Sequence, residues 1–229
     1  MRRIAAGFLC VLTVAMATRP CLAAQGAFRS VKNSDMKIAL TFDDGPHPAL
    51  TQRILDILAR YNVKATFFMV GVNVENYPDA ARAVFEAGHE IGNHTYSHRI
   101  LNRLTHEEID AEIEGCESVL EELCEYRPRL FRPPQGAINP QVEADADQND
   151  YSLILWSLDT RDWEDKNAAR IAREVVSSAK AGDIILMHDY IGHGSRTPEA
   201  LEILLPELLA RGFKPVTVSE LTDYAGDER

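Results

Sequence analysis

The sequence has little of several features that define common protein classes. Its 229 residues include 4 cysteines and 13 glycines, and no two cysteines form a CxxC pair. This scarcity argues against a disulfide-rich scaffold and against a cysteine-based zinc site. No glycine-rich phosphate loop follows any strand-like run, which argues against phosphate-binding proteins.

Basic residues are also scarce. Lysine and arginine total 24 against 35 aspartates and glutamates, a formal net charge of −11. Such a surface repels polyanions, so we expect no nucleic-acid partner. A neutral sugar polymer is not disfavoured by this charge.

The longest apolar run lies at the N-terminus and is too short to span a bilayer. It extends from Ile4 to Ala17, follows Arg2 and Arg3, and ends near small residues at Cys21-Leu22-Ala23-Ala24. This pattern is typical of a secretory signal peptide. We therefore predict a signal peptide over residues 1–24, a periplasmic or secreted protein, and no stable membrane anchor after cleavage.

Two cysteines remain after that segment, Cys116 and Cys124, both in a predicted helix over 104–124. Eight helical residues span about 12 Å, whereas bridged Cα atoms lie within about 7 Å. We therefore predict two buried, unpaired thiols. The acidic residues of this helix are expected to form one solvated face; they are Glu107, Glu108, Asp110, Glu112, Glu114, Glu117, Glu121 and Glu122.

Strand-like runs alternate with amphipathic helical patterns from residue 37 onward, which predicts βαβ units and a parallel sheet. The seven predicted strands are 37–42, 65–70, 90–93, 129–131, 152–158, 183–187 and 214–218. Polar residues follow five of them, which favours an α/β barrel with its chemistry at one rim. Residues 25–36 are expected to be a loose polar lead-in.

An acidic pair and two histidines carry the chemistry. Asp43 and Asp44 end the first predicted strand, and His94 and His98 lie four residues apart. One carboxylate and two imidazoles can hold a catalytic Zn²⁺ with one position left open for water. The second carboxylate remains free to accept a proton. The sequence therefore predicts a metal-dependent hydrolase.

Five motifs, in order, resemble those of the polysaccharide deacetylase family (NodB-like domains, carbohydrate esterase family 4) over about residues 36–222. They are TFDDGP at 41–46, HTYSH at 94–98, RPPQG at 132–136, DTRDW at 159–163 and LMH at 186–188. The resemblance implies a deformed (β/α)7 barrel, a single catalytic domain over 36–225, that removes acetyl groups from N-acetylated, sometimes O-acetylated, sugars.

The resemblance also implies roles for individual residues. Asp44, His94 and His98 would hold one divalent ion, expected to be Zn²⁺, although Co²⁺ and Ni²⁺ suit the same ligands. Asp43 would be the general base and His188 the general acid that protonates the leaving amine.

Further residues would support these groups. Arg132 would orient Asp43, and Asp162 would hold either His188 or Arg132, a choice that the sequence leaves open. The remaining predicted substrate contacts are Pro133, Gln135, Trp163 and Leu186, the last two forming a small apolar pocket for the acetyl methyl group. The Gln135 backbone N–H would help to stabilise the oxyanion. The family usually has an aromatic residue at that position, so Gln135 puts the sugar-stacking surface, and with it the substrate, in question.

Two other functions compete with deacetylation. A glycosidase would use Asp43 and Asp44 as its carboxylate pair, but adjacent residues rarely flank one bond from two sides. A non-catalytic glycan-binding relative would have a decayed metal site, whereas the assigned metal histidines, base and acid are all present. We expect a monomer that acts on an N-acetylated cell-wall or extracellular glycan.

Overall fold

The computed structural model describes residues 26–33, 35–164, 167–190 and 195–222. The predicted signal peptide and residues 223–225 of the predicted domain lie outside these ranges. Within them, no helix is both long enough and apolar enough to cross a membrane.

The described residues form one eight-stranded sheet in which every strand pairing is parallel. The strands are β1 Lys37–Asp43, β2 Thr66–Met69, β3 Glu90–Asn93, β4 Leu130–Phe131, β5 Ser152–Leu153, β6 Leu158–Asp159, β7 Ile184–His188 and β8 Lys214–Val216. Their order is β5-β4-β3-β2-β1-β7-β6, and β8 pairs with the start of β1. Helices cover this curled sheet, which confirms the predicted deformed (β/α)7 barrel.

Eight α-helices accompany the strands in the described ranges. They are α1 Leu50–Arg60, α2 Gly71–Asn76, α3 Pro78–Glu86, α4 His106–Cys124, α5 Pro140–Gln148, α6 Ala168–Ser178, α7 Thr197–Ala210 and α8 Val218–Thr222. In α1 the buried residues include Ile54, Leu55 and Leu58, as their helical spacing predicts. Helix α4 begins with a capping box in which Thr105 and Glu108 bond each other's backbone N–H. Helices α2, α5 and α8, of 6, 9 and 5 residues, were not predicted.

The fifth predicted strand, residues 152–158, is divided in the structure. Its start pairs with β4 and its end with β7, so β5 and β6 are opposite edges of the sheet. Between them, the Arg132 guanidinium donates to the carbonyl oxygens of Ile154 and Leu155, at 3.2 and 3.1 Å. A buried side chain thus satisfies carbonyls that a continuous strand would have paired with another strand.

Residues 26–33 are not the loose lead-in that was predicted. The Phe28 N–H donates to the Leu153 carbonyl, and the Leu155 N–H donates to the Phe28 carbonyl. Val31 lies so close to Gly182 that a Cβ added to Gly182 would be 1.6 Å from the Val31 carbonyl oxygen. The segment therefore covers β5 and the turn before β7.

Helix α4 runs unbroken from His106 to Cys124, and Cys116 and Cys124 are buried and free, as predicted. The expectation of one solvated acidic face is wrong at Glu112, which is only 6% exposed. Its carboxylate accepts hydrogen bonds from the N–H and the hydroxyl of Ser97, in the turn that follows β3.

Candidate active site

The first site residues lie at the carboxyl end of β1. Asp43 is paired in register with His188 of β7, so these two side chains start from neighbouring positions of the sheet. Asp44 follows with φ 74°, a left-handed conformation that non-glycine residues seldom adopt. Asn73 of α2 stabilises this turn by donating to the Asp44 carbonyl at 2.7 Å.

The two histidines lie in the turn after β3, the next strand but one. His94 Nδ1 is 2.5 Å from the Arg132 carbonyl oxygen. Because a carbonyl only accepts, Nδ1 carries the hydrogen, and Nε2 of the neutral ring presents a lone pair. Thr95 and His98 have φ 68° and 59°, and this sharp bend returns His98 toward His94.

Three donor atoms converge at this point. Asp44 Oδ1 lies 3.3 Å from His94 Nε2 and 3.1 Å from His98 Nε2. A neutral His94 would direct its Nε2 lone pair at a carboxylate oxygen, which is repulsive unless a cation lies between them. The oxygen and the two imidazole nitrogens therefore fit a divalent metal ion, and the three residues can hold one.

Electrostatics supports the same grouping. Burial raises the pKa of Asp44, but the imidazoles of His94 and His98 beside it outweigh burial and bring it well below the usual range. The Asp44 carboxylate in turn raises the pKa of His98, and a bound metal ion would take the place of the proton between them. The carboxylate stays ionised, as a metal ligand must.

One carboxylate oxygen of Asp43 pairs with a buried arginine. Its Oδ1 accepts from Arg132 Nη1 at 2.6 Å, and the same nitrogen donates to Thr41 Oγ1 at 2.8 Å. The guanidinium is also stacked 4.1 Å over the Phe68 ring. Arg132 thus orients Asp43, while Asp43 Oδ2 lies 3.8 Å from His94 Nε2, beside the metal position.

His188 pairs with Asp162, which decides the alternative that the sequence left open. Asp162 Oδ1 accepts from His188 Nδ1 at 2.7 Å, and Oδ2 accepts from the His188 N–H and the Thr197 hydroxyl. Burial lowers the pKa of His188, but the hydrogen bond and charge of Asp162, with Asp43 and Asp44, raise it to about 9. The imidazole is therefore protonated at neutral pH.

These groups face one cleft of about 380 Å³. Eight of the eleven predicted site residues line it, together with two others: Asp43, Asp44, His94, His98, Gln135, Trp163, Leu186 and His188, with Trp156 and Asp159. Trp163 is 51% exposed on the rim and Leu186 is buried. Of the other three, Arg132 and Asp162 lie behind the cleft and contact Asp43 and His188.

Pro133 is the predicted substrate contact that the structure does not bring to the cleft. Its side chain is buried, and its carbonyl accepts the Gly136 N–H at 3.0 Å. It begins a 3₁₀ turn over Pro134–Gly136 in which Gln135 has φ 58° and is exposed. The turn presents Gln135 to the cleft, while Pro133 supports it from behind.

Besides Asp159, three residues near the site were not predicted from the sequence: Asp189, Trp156 and Glu112. Asp189 lies under the β1 turn, accepts from Thr51 Oγ1 at 2.6 Å, and has its pKa raised by burial to about 7. Its position directly after His188 could have indicated it. Trp156 lines the cleft and lies two residues before β6 begins. Nothing in the sequence distinguished Glu112 from the other acidic residues of α4.

A second histidine–aspartate group lies away from the cleft. His106 Nδ1 is 2.6 Å from Asp145 Oδ1, and Nε2 is 3.3 Å from Asp110 Oδ2. Asp110 also accepts from Asn149 at 3.0 Å. Because both ring nitrogens face carboxylates, both carry hydrogens, and the residue is a protonated bridge between α4 and α5.

Comparison with known proteins agrees with this geometry. A family model described as polysaccharide deacetylase matches residues 30–154, more than half of the chain. The peptidoglycan-N-acetylglucosamine deacetylase of Bacillus cereus is 42% identical over 196 residues, which cover 85% of this chain and 92% of the relative. The chain belongs to the polysaccharide deacetylase family. It is therefore a hydrolase, a polysaccharide deacetylase.

Two solved structures similar to this chain are named for different activities. A family 4 acetyl xylan esterase from Clostridium thermocellum, in complex with a cobalt ion, is 37% identical with a TM-score of 0.75, covering 82% of this chain and 90% of its own. A carbohydrate esterase family 4 pseudoenzyme from Bacillus anthracis is 29% identical with a TM-score of 0.81, covering 86% and 69%. The fold alone thus does not ensure activity. Activity depends on the chemical groups in the cleft.

Proposed function

We propose that this deacetylase is an exported, metal-dependent enzyme that removes the acetyl group from N-acetylated sugars of a cell-wall or extracellular glycan. The observation that carries the proposal is the convergence of Asp44, His94 and His98 beside the pair Asp43 and His188. The relative from Bacillus cereus acts on peptidoglycan N-acetylglucosamine, which supports the same substrate class here.

Asp44, His94 and His98 would hold the metal ion. When bound, the ion supplies a Lewis acid that polarises the acetyl carbonyl and lowers the pKa of a water molecule. Zn²⁺ is the expected ion, and Co²⁺ or Ni²⁺ suits the same ligands.

Asp43 would act as the general base. Its carboxylate is oriented by Arg132 through a charge-assisted bond of 2.6 Å, so one oxygen stays directed at the cleft. From there it would accept the proton of the attacking water.

His188 would act as the general acid. Its Nδ1–H is held by Asp162, so Nε2 is the nitrogen left to deliver a proton. That proton would go to the sugar nitrogen as the C–N bond breaks, releasing acetate and an amine. The N–H of Gln135 would stabilise the oxyanion, and Trp163 and Leu186 would enclose the acetyl methyl group.

Acetate release tests this proposal. The full chain would be assayed on N-acetylglucosamine oligomers and on peptidoglycan, both metal-loaded and chelated. We expect acetate only with metal, and the better substrate identifies the glycan. New reducing ends that form without metal would support a glycosidase instead. Glycan binding with bound metal but no acetate would support a non-catalytic role, as in the pseudoenzyme.

Export is a separate part of the proposal, and it rests on residues 1–24, which the structure does not describe. Expression of the full chain in a bacterium, followed by N-terminal sequencing of the extracytoplasmic protein, tests it. We expect cleavage near Ala23 or Ala24. An uncleaved protein retained in the cytoplasm would contradict export without touching the deacetylase proposal.

A further inference from the structure

The two metal-site histidines are held in different ways. The His94 ring is fixed on its far side by the Arg132 carbonyl. The His98 ring, 36% exposed, has the Asp44 carboxylate as its only hydrogen-bonding or ion-pair partner among the described residues. The direction of His98 therefore depends on the backbone of the turn that carries it.

A buried carboxylate from helix α4 holds that turn. Glu112 Oε2 accepts the Ser97 N–H at 2.8 Å, and Oε1 accepts the Ser97 hydroxyl at 2.5 Å. The Glu112 backbone carbonyl accepts the Tyr96 N–H at 2.8 Å. A carboxylate so buried is stable only with such partners, which makes the contact strong and directional.

The opposite side of the turn rests on helix α2. The N–H groups of Gly71 and Val72 donate to the carbonyls of Thr95 and Tyr96, at 3.0 and 2.9 Å. Tyr96 packs between α2 and α4, where a Cβ at Gly71 would be 2.7 Å from its ring. The residues ahead of Ser97 are thus fixed from both helices, and Glu112 provides the bonds at Ser97 itself.

We propose that Glu112 is a positioning residue for the metal ligand His98. By binding both donors of Ser97, it restrains the residue directly before His98. Together with the His98 N–H, which donates to Thr95 Oγ1 at 3.0 Å, this keeps His98 in its left-handed conformation, φ 59°. This inference rests on the proposed function, because it assumes that Asp44, His94 and His98 hold a metal ion. Outer partners of this kind commonly change metal affinity about 10- to 100-fold.

The test measures metal affinity in the full chain, with Zn²⁺ as the probe and a chromophoric chelator as competitor. Glu112→Ala removes both bonds, and we expect Zn²⁺ binding about 10- to 100-fold weaker. Ser97→Ala removes only the hydroxyl, so a smaller loss is expected. Glu112→Gln can still accept the Ser97 N–H and can donate to its hydroxyl, so it should restore most of the affinity. Glu114→Ala, at an exposed position of the same helix, is the matched control and should bind like the wild type.

Thermal unfolding of the same proteins separates positioning from general stability. A merely structural role would lower Tm while folded variants bind Zn²⁺ as tightly as the control, and that result would overturn the inference. If Glu112→Ala does not fold, Ser97→Ala decides: wild-type affinity there overturns the inference, and weakened affinity supports it. A wild-type chain that binds no Zn²⁺ would overturn the proposed function as well, so the two failures are distinguishable.

Discussion

Two three-residue groups of histidine and aspartate occur among the described residues, and they are built in opposite ways. At the cleft, two imidazole nitrogens converge on one oxygen of Asp44. At the junction of α4 and α5, one imidazole of His106 lies between the carboxylates of Asp110 and Asp145. The first arrangement presents lone pairs to a common point, and the second uses both nitrogens as donors.

The difference shows why residue types alone do not define a metal site. A transition-metal ion needs deprotonated donors that converge, and His94 has its other nitrogen held by a carbonyl so that Nε2 faces inward. His106 has no nitrogen left for a metal, and its positive charge offsets two carboxylates. The second group therefore joins two helices, and the first can hold an ion.

The largest expected effect separates the groups by metal content. His94→Ala removes a ligand, so bound Zn²⁺ and acetate release should both fall by at least about 100-fold, because losing even an outer partner costs about 10- to 100-fold. His106→Ala is the matched control and should retain wild-type metal content. Metal analysis of the purified proteins checks this, and loss of the ion from His106→Ala would contradict the distinction.

A second prediction separates Asp44, the proposed metal ligand, from its neighbour Asp43. Asp43→Asn should reduce acetate release by about 10²- to 10⁴-fold, the range for loss of a general acid or base. Because Asp43 is paired with Arg132, Zn²⁺ stoichiometry should stay at the wild-type level. Loss of metal together with activity would mean that Asp43 is a ligand as well.

The third prediction concerns the histidine–aspartate pair of His188. Its pKa of about 9 is raised chiefly by Asp162 against the effect of burial. As a general acid, His188 works while protonated, so activity should decline as pH rises through that value. Asp162→Asn removes the charge, and the alkaline limb of the pH–rate profile should move down toward 6.5, the ordinary value. If the alkaline limb of the Asp162→Asn profile does not move, that limb reports the titration of a group other than His188.

The smallest effect is expected at the junction of α4 and α5. The hydrogen bond with Asp145, aided by the charge of Asp110, raises the pKa of His106. The bridge therefore stabilises the fold fully below the unfolded-state pKa, about 6.5, and this contribution disappears as pH rises through the raised value. Urea unfolding of wild type and His106→Gln across pH 5 to 9 should show a difference that shrinks toward high pH. A difference independent of pH would contradict a protonated bridge.

Much of the architecture could be predicted because it is encoded locally. The apolar run of β1 and the helical spacing of Ile54, Leu55 and Leu58 act within a few residues, and both were correctly assigned. The strand predicted over 152–158 failed for a non-local reason, since the Arg132 side chain takes the carbonyls in its middle. That contact joins residues 22 and 23 positions apart.

The site residues show the same difference between what can be predicted locally and what depends on distant contacts. That Asp44, His94 and His98 would meet could be inferred, since strand ends of a parallel barrel open at one rim. The partner of Asp162 could not, because His188 and Arg132 were equally suitable cations. Glu112 was assigned to solvent because many other acidic residues surround it on α4.

The sequence by itself therefore determined the kind of fold and which chemical groups reach the rim of the barrel. Tertiary structure decided which donor each carboxylate meets: Arg132 for Asp43, His188 for Asp162 and Ser97 for Glu112. The physical reason is the distance along the chain over which each interaction acts. Apolar periodicity is set by neighbours along the chain, whereas a hydrogen bond forms only with the group that folding brings to about 3 Å.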